Sequence, residues 1–399
     1  MRFPYRALHP MRSLKEAIDA SKPDLIVPGD ERAVAHLHEL HAQAVKAGSL
    51  GAGTRALIER SLGSPQSYSV VRSRFEILRL AREEGILAPE SGPVRNKSDL
   101  DEWGGRHAFP WVLKNDGNCA GQGVRVVDTL AKARRAWRRL AAHPTTLYVA
   151  KRLLANRDPY PVPTWLRGER PAVTVQTFVP GTPANISVAA WKGEVLAAFS
   201  VSVCKTLKEN GPASVVRLID NPVMLQAAVR LARRLDLSGF FGLDFMIERG
   251  TQKPYLIELN PRVTQLCHLP LGRGRDLTGA LYERLSSVPA ADSPHLTVAG
   301  TIAIFPNAWM QNLGDEFFTK GFHDVPWEEP DLVDEMLKAL WCNRGSLHAA
   351  IEWLKSVTRD GGTEVVLDGS ARQLNRPQDR DAMPAKNPAK TGEAVKTSA

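Results

Sequence analysis

The chain has 399 residues, 43% hydrophobic and 24% charged, a balance that suits a globular protein with room for two or three domains. No run approaches the roughly 18 apolar residues needed to cross a bilayer, and the N-terminus MRFPYRALHPMRS lacks the apolar stretch of a secretory signal. A cytoplasmic protein without a membrane partner is expected. Cys119, Cys204, Cys267 and Cys342 lie far apart with no C-x-x-C pair, so neither a zinc ribbon nor a disulfide framework is indicated. The formal charge is +9, but the last 28 residues from Arg372 carry six Lys and Arg against three Asp and Glu, a third of the excess. Much of the rest falls in KARRAWRRL (132–140), where Leu130, Ala133, Trp137 and Leu140 form an apolar helical stripe with most arginines on the other face. This reads as a solvated helix face, and nucleic acid is not an expected partner.

In chain order, MRSLKEAIDAS reads as a helix, followed by an apolar strand at 24–28, a Pro-Gly turn and a helix from Glu31 with Ala33, Leu37 and Leu40 on one face. One β-α unit is too little for a complete doubly wound sheet, so residues 1–70 are expected to be a partial N-terminal domain, its start trimmed. FEILRLAREE (75–84) is a helix that stops at Gly85, and ILAPES after it is extended. FPWVLK (109–114) and GVRVVD (123–128) are short strands around the loop NDGNCAGQ, and Asp128-Thr129 caps the arginine-rich helix. These predict a small lid subdomain over about 105–172. AVTVQTFV (172–179) leads to the hairpin NISVAAW and EVLAAFSVSV, joined by Lys192-Gly193. NPVMLQAAVRLARRLDLSG (221–239) is a helix capped by Asn221, with Leu225, Val229, Ala232 and Leu235 as its apolar face. Beyond 289 the expectation is a C-terminal cap to 360, with a strand at 297–305 and helices at 330–341 and 346–356; 361–399, poor in large apolar groups, is expected to be disordered.

The chemistry concentrates in GFFGLDFMIERGTQKPYLIELNPR. If Glu248 and Pro254 flank the loop RGTQK of an antiparallel hairpin, Asp244 falls opposite Glu258 and Gly242 opposite Asn260. Two opposed carboxylates destabilise a ladder by about 0.2–1 kcal/mol unless a cation lies between them. Glu258 and Asn260 share a face, so three hard oxygen donors fit Mg²⁺, with Mn²⁺ as the alternative. Gly242 leaves room, and Arg262 can reach whatever the metal holds. Lys114 ends its strand beside the glycines of the following loop, Gly117, Gly121 and Gly123, where backbone N–H groups and an ammonium can meet phosphates.

A lysine strand, a glycine loop, Q-T-F-V-P-G and a hairpin with D…E-x-N-x-R, in that order, resemble the ATP-grasp superfamily over about 72–285. The nearest branch is that of biotin carboxylase, carbamoyl-phosphate synthetase and the carboxylate–amine ligases. The resemblance implies an α/β (α+β) ATP-grasp fold over 71–288, with ATP and Mg²⁺ as cofactors. It implies phosphate contacts from Lys114 and Arg74, a lid loop at 117–123, adenine against Gln176, Thr177 and Val179, and Asn185 as a ribose partner. Asp244, Glu258 and Asn260 look like the metal ligands, and Arg262 and Lys205 like catalytic cations. Many relatives carry glutamate where Gln176 stands, and biotin carboxylase carries an acidic base shortly after its arginine, where this chain has VTQLCHL. Bicarbonate activation is therefore disfavoured. The expected activity is ATP-dependent activation of a small carboxylate as an acyl-phosphate for attack by an amine, with a homodimer left open. The alternative is a silent Mg-ATP-binding regulatory protein.

Overall fold

The computed structural model describes residues 3, 6, 9–116, 123–154, 161–168, 170–207, 211–289, 300–309 and 321–337. The expected helix at 346–356 and the tail from 361 lie outside them. The N-terminal part is helical, with α1 (Pro10–Ser21), α2 (Glu31–Lys46), α3 (Ala52–Leu62), the single turn α4 (Tyr68–Val71) and α5 (Arg74–Glu83). Asp30 caps α2 by accepting from Ala33 N–H, and Gly85 closes α5 at φ 70°. The strand expected at 24–28 is a correction: the segment forms no strand and joins neither sheet. Its backbone is used elsewhere. Ile26 N–H donates to Ser61 Oγ at 2.9 Å, Arg60 donates to Asp24 O, and Pro28 O accepts from Val263 N–H at 3.2 Å.

A four-stranded antiparallel sheet follows, ordered β1-β4-β2-β3: β1 (Ser91–Pro93), β2 (Trp111–Asn115), β3 (Val124–Val127) and β4 (Val173–Thr177). Around it lie α6 (Lys97–Gly104), α7 (Leu130–Leu140), α8 (Thr146–Leu154) and α9 (Pro161–Leu166); α8 and α9 were not expected. Trp111, Leu113, Val173 and Val175 alternate onto one face and form a core with Leu100 of α6 and Ala133 and Leu140 of α7. The opposite face therefore carries Val112, Lys114, Thr174 and Gln176. Thr129 caps α7 as its position suggests.

The larger sheet has seven strands, ordered β11-β10-β7-β6-β5-β8-β9. It comprises β5 (Gly181–Trp191), β6 (Glu194–Thr206), β7 (Ala213–Ile219), β8 (Gly239–Glu248), β9 (Pro254–Asn260), β10 (Thr301–Ile304) and β11 (Phe322–Asp324), the last pair parallel. Lys192 (φ 47°) and Gly193 (φ 78°) make the expected two-residue turn between β5 and β6. α10 (Pro222–Leu235) packs with α5 on one face over Ile186, Val188, Leu243 and Phe245, and α11 (Leu277–Ser286) covers part of the other. A further helix, Pro330–Leu337, follows β11. The apolar face expected for α10 needs correction at two positions. Leu225 and Val229 are exposed, while Met224, Ala227, Ala228 and Leu231 join Ala232 and Leu235 in the core, because the stripe that meets the sheet is turned by one residue. Among the described residues no helix is long and apolar enough to cross a membrane.

Candidate active site

The β8–β9 hairpin has the expected pairing at its functional end, for a different reason than the turn suggests. The loop is RGTQ, not RGTQK: Gln252 adopts φ 58°, Glu248 N–H donates to Lys253 O, and Pro254 pairs with Ile247. Continued unbroken, that register would set Glu258 opposite Leu243, facing the core. A bulge between Phe245↔Leu256 and Asp244↔Glu258 inserts Ile257 and turns Glu258 onto the face of Asp244. Asn260 then lies opposite Gly242, and on the next strand Asn185 lies opposite Asp244. Asn185, Asp244 and Glu258 thus form one row across three strands.

Electrostatics in this row are only partly relieved. Burial, and then the neighbouring Glu258 charge, push the Asp244 carboxyl up to about 6, against the pull of Asn260, Arg262 and Lys114. Asn260 Nδ2 donates to Asp244 Oδ2 at 3.0 Å. Arg74, the first residue of α5, puts both Nε (3.0 Å) and Nη2 (2.7 Å) on the single oxygen Glu258 Oε1 and also donates to Asn115 O. Among the described residues, Asp244 Oδ1, Glu258 Oε2 and Asn260 Oδ1 accept no hydrogen bond, so one oxygen of each remains for a ligand. An all-oxygen donor set carrying two close carboxylates fits a hard divalent cation such as Mg²⁺.

Lys114 approaches from the polar face of the four-stranded sheet. It is buried at 5% exposure, and burial pulls its ammonium down to about 8, with Arg74 acting in the same sense and Glu258 and Asp244 opposing. Asp116, just beyond it, is raised by burial despite Arg74. The lysine and the carboxylate row therefore belong to one site between the two sheets.

Arg262 follows β9 and sits near enough to lower Asp244. Its Nε donates to Glu31 Oε1 at 2.7 Å and its Nη1 to Val263 O at 3.1 Å. Glu31, at the start of α2, was missed in the sequence: nothing local marks a helix N-terminal carboxylate as reaching a residue 231 positions away. The space at Gly242 is taken by Thr264, for a Cβ there would lie 2.5 Å from Thr264 Cγ2. Thr264 also bonds Ser187 (2.6 Å) and Cys267 (3.1 Å), whose thiol burial pushes up, and His268 Nε2 pairs with Asp324 at 2.7 Å. Cys267 and His268 are thus packing and bracing groups.

Other expected residues are more scattered. Gln176 is buried and laddered to both Ser91 and Val112, and Thr177 N–H donates to Glu90 O at 3.0 Å. Phe178 and Val179, just past the last ladder pair, are left to join the two sheets. Lys205 lies on β6 opposite Val215, at a register break two strands from β8. Gly123 precedes β3 and its carbonyl accepts from Asn115 N–H; Gly117 and Gly121 lie outside the described residues.

A lysine on one sheet and a D…E-x-N row on the other, bridged by Arg74, make one candidate site. Residues 161–265 match a family described as the ATP-grasp domain. Among solved structures, the biotin carboxylase domain dimer of Hydrogenobacter thermophilus 2-oxoglutarate carboxylase, in complex with MgADP, ADP and bicarbonate, superposes with a TM-score of 0.50 at 13% identity. The match covers 71% of this chain and 58% of that one, so the chain spans little over half the length of that structure. Biotin carboxylase from Campylobacter jejuni (TM-score 0.49, 12% identity, 71% and 58% covered) and an L-amino acid ligase from Bacillus licheniformis (0.44, 15%, 72% and 62%) are also similar. No curated protein matches the sequence. The chain has the ATP-grasp fold.

Proposed function

We propose that this chain uses ATP to activate a small-molecule carboxylate for ligation to an amine. The observation that carries the reading is the meeting of Lys114 with the Asp244–Glu258–Asn260 row, flanked by Arg74 and Arg262. Such a set neutralises charge around a transferring phosphoryl group without supplying a nucleophile of its own. Mg²⁺, or Mn²⁺, would be held by Asp244, Glu258 and Asn260 and would neutralise phosphate charge. Lys114 and Arg74 bind phosphate oxygens, Val179 backs the adenine, and Asn185, in line with Asp244, faces the ribose-phosphate side. Arg262 holds the acceptor carboxylate. Its oxygen attacks the γ-phosphorus, the bond to the β–γ bridging oxygen breaks, and ADP leaves; the amine then attacks the acyl carbon, phosphate departs, and the amine proton goes to solvent. Lys205 is a further cation for the acceptor side.

A panel of carboxylates paired with amines, scored for Mg²⁺-dependent ADP release, tests this. Expected is release that needs both substrates and is lost, with the fold intact, in Glu258→Gln and Lys114→Ala. Normal turnover in both variants overturns the assignment. The second reading, a silent Mg-ATP binder, draws on the Arg74–Glu258 ion pair, which already places a cation on a carboxylate the metal needs. Tight Mg-ATP binding with no ADP release across the panel would favour it.

A further inference from the structure

Two outlying parts of the molecule are left unmatched. Residues 130–170, which hold α7, α8 and α9, contain ten Lys and Arg against two Asp and Glu, so most of the net +9 is concentrated there. Lys132, Arg135, Arg138 and Arg139 of α7 are exposed. On α8, Leu147 (80%), Tyr148 and Leu154 (77%) stand in water beside Lys151, and only Val149 is buried. The opposite composition occurs at Pro326–Leu337, with five acidic residues and no basic one. There the helix Pro330–Leu337 buries none of its residues, and Trp327, Leu332, Met336 and Leu337 are between 36% and 50% exposed.

We infer that these surfaces serve each other across two copies of the chain: the acidic, leucine-bearing helix Pro330–Leu337 of one protomer docks on the basic helices α7 and α8 of another. Both surfaces carry apolar groups that need covering, and their charges are opposite, which sets register and suppresses wrong partners. A twofold pair makes the contact twice, helping two modest patches approach the roughly 1,200–2,000 Å² of a stable interface. Exposed leucines amid the lysines and arginines favour a protein partner over nucleic acid, whose recognition relies on charge with stacking aromatics or base-reading groups.

The test is sedimentation of the full chain. Wild type is expected to be dimeric at tens of micromolar in about 50 mM salt and to shift at least tenfold toward monomer in about 500 mM salt. Arg135→Glu, Arg139→Glu and Lys151→Glu together give one variant; Glu328→Lys, Asp331→Lys and Asp334→Lys give the other. Each alone faces like charge and should be monomeric, while an equimolar mixture should form heterodimers, because both contacts are then complementary. Circular dichroism checks that each variant is folded. A monomeric wild type, dimers that survive in either variant, or a mixture that stays monomeric would overturn the inference. So would a monomeric wild type whose basic face binds anionic vesicles or DNA.

Discussion

Arg262 Nε and Glu31 Oε1, 2.7 Å apart, tie the residue after the carboxylate hairpin to the first turn of α2. The neighbouring bond from Val263 N–H to Pro28 O makes the tie double. Arg262 therefore gives Nε to Glu31 and Nη1 to the carbonyl of Val263, and Glu31 acts as a positioning residue for it. Glu31→Ala is expected to lower kcat/KM for the acceptor carboxylate about tenfold, leaving KM for ATP within a factor of two, with Glu31→Gln intermediate. Steady-state kinetics with each substrate varied in turn check this. An equal loss for both substrates would contradict the assignment.

Ile257 does for Glu258 what the turn does not. Deleting it would remove the bulge and leave Glu258 directly after Leu256, still opposite Asp244 in an unbroken ladder, so the carboxylate row should survive. The expected outcome is retained Mg²⁺-dependent nucleotide binding by calorimetry; its loss would mean that the bulge sets the carboxylate geometry beyond the pairing itself. Ile257→Val, which keeps the residue count, should cost about 0.5–1.5 kcal/mol and retain binding.

Much of this site was legible in the sequence because its residues repeat at strand spacing: Asp244 with Gly242, Glu258 with Asn260, and a lysine ending a short apolar strand. Even there the register came out right through two cancelling offsets, a loop one residue shorter than expected and a bulge of one residue. Neither leaves a signature in composition. What stayed hidden depends on contacts between distant segments. The strand expected at 24–28 has the right apolar run, but its hydrogen bonds go to α3 and Val263. The face of α10 was misplaced because Leu225 outranks Ala228 in hydrophobicity, although the sheet selects the small residue.

Gly242 shows how tightly the carboxylate row is backed. A Cβ at this position would meet Thr264 Cγ2 at 2.5 Å, and Thr264 is held by Ser187 and Cys267. Gly242→Ala should therefore displace the loop after Arg262 and destabilise the protein by about 1–3 kcal/mol, with an activity loss that exceeds its effect on nucleotide affinity. Combining it with Thr264→Ser removes the clashing methyl and should restore both stability and activity. Failure of the double variant to recover would place the strain elsewhere.

Lys114 is the residue for which stability and function have opposite signs. Burial lowers its ammonium from 10.5 to about 8, so the folded protein gives up this proton before the unfolded chain does. Below about 8 both states are protonated and the full cost of the buried charge is present. Between about 8 and 10.5 the unfolded state binds more proton, and this group makes stability rise with pH. Nucleotide affinity should fall over the same window as the ammonium facing the phosphates is lost. Replacing the charge tests the pairing of effects: Lys114→Met is expected to weaken Mg-ATP binding at least a hundredfold at pH 7, yet leave the protein as stable or about 1–3 kcal/mol more so, and to flatten the rise of stability above pH 8. Urea titrations and calorimetry across pH 7 to 10 separate the two. A variant that lost stability along with binding would mean that the buried ammonium is held by its carboxylate neighbours more strongly than burial opposes it.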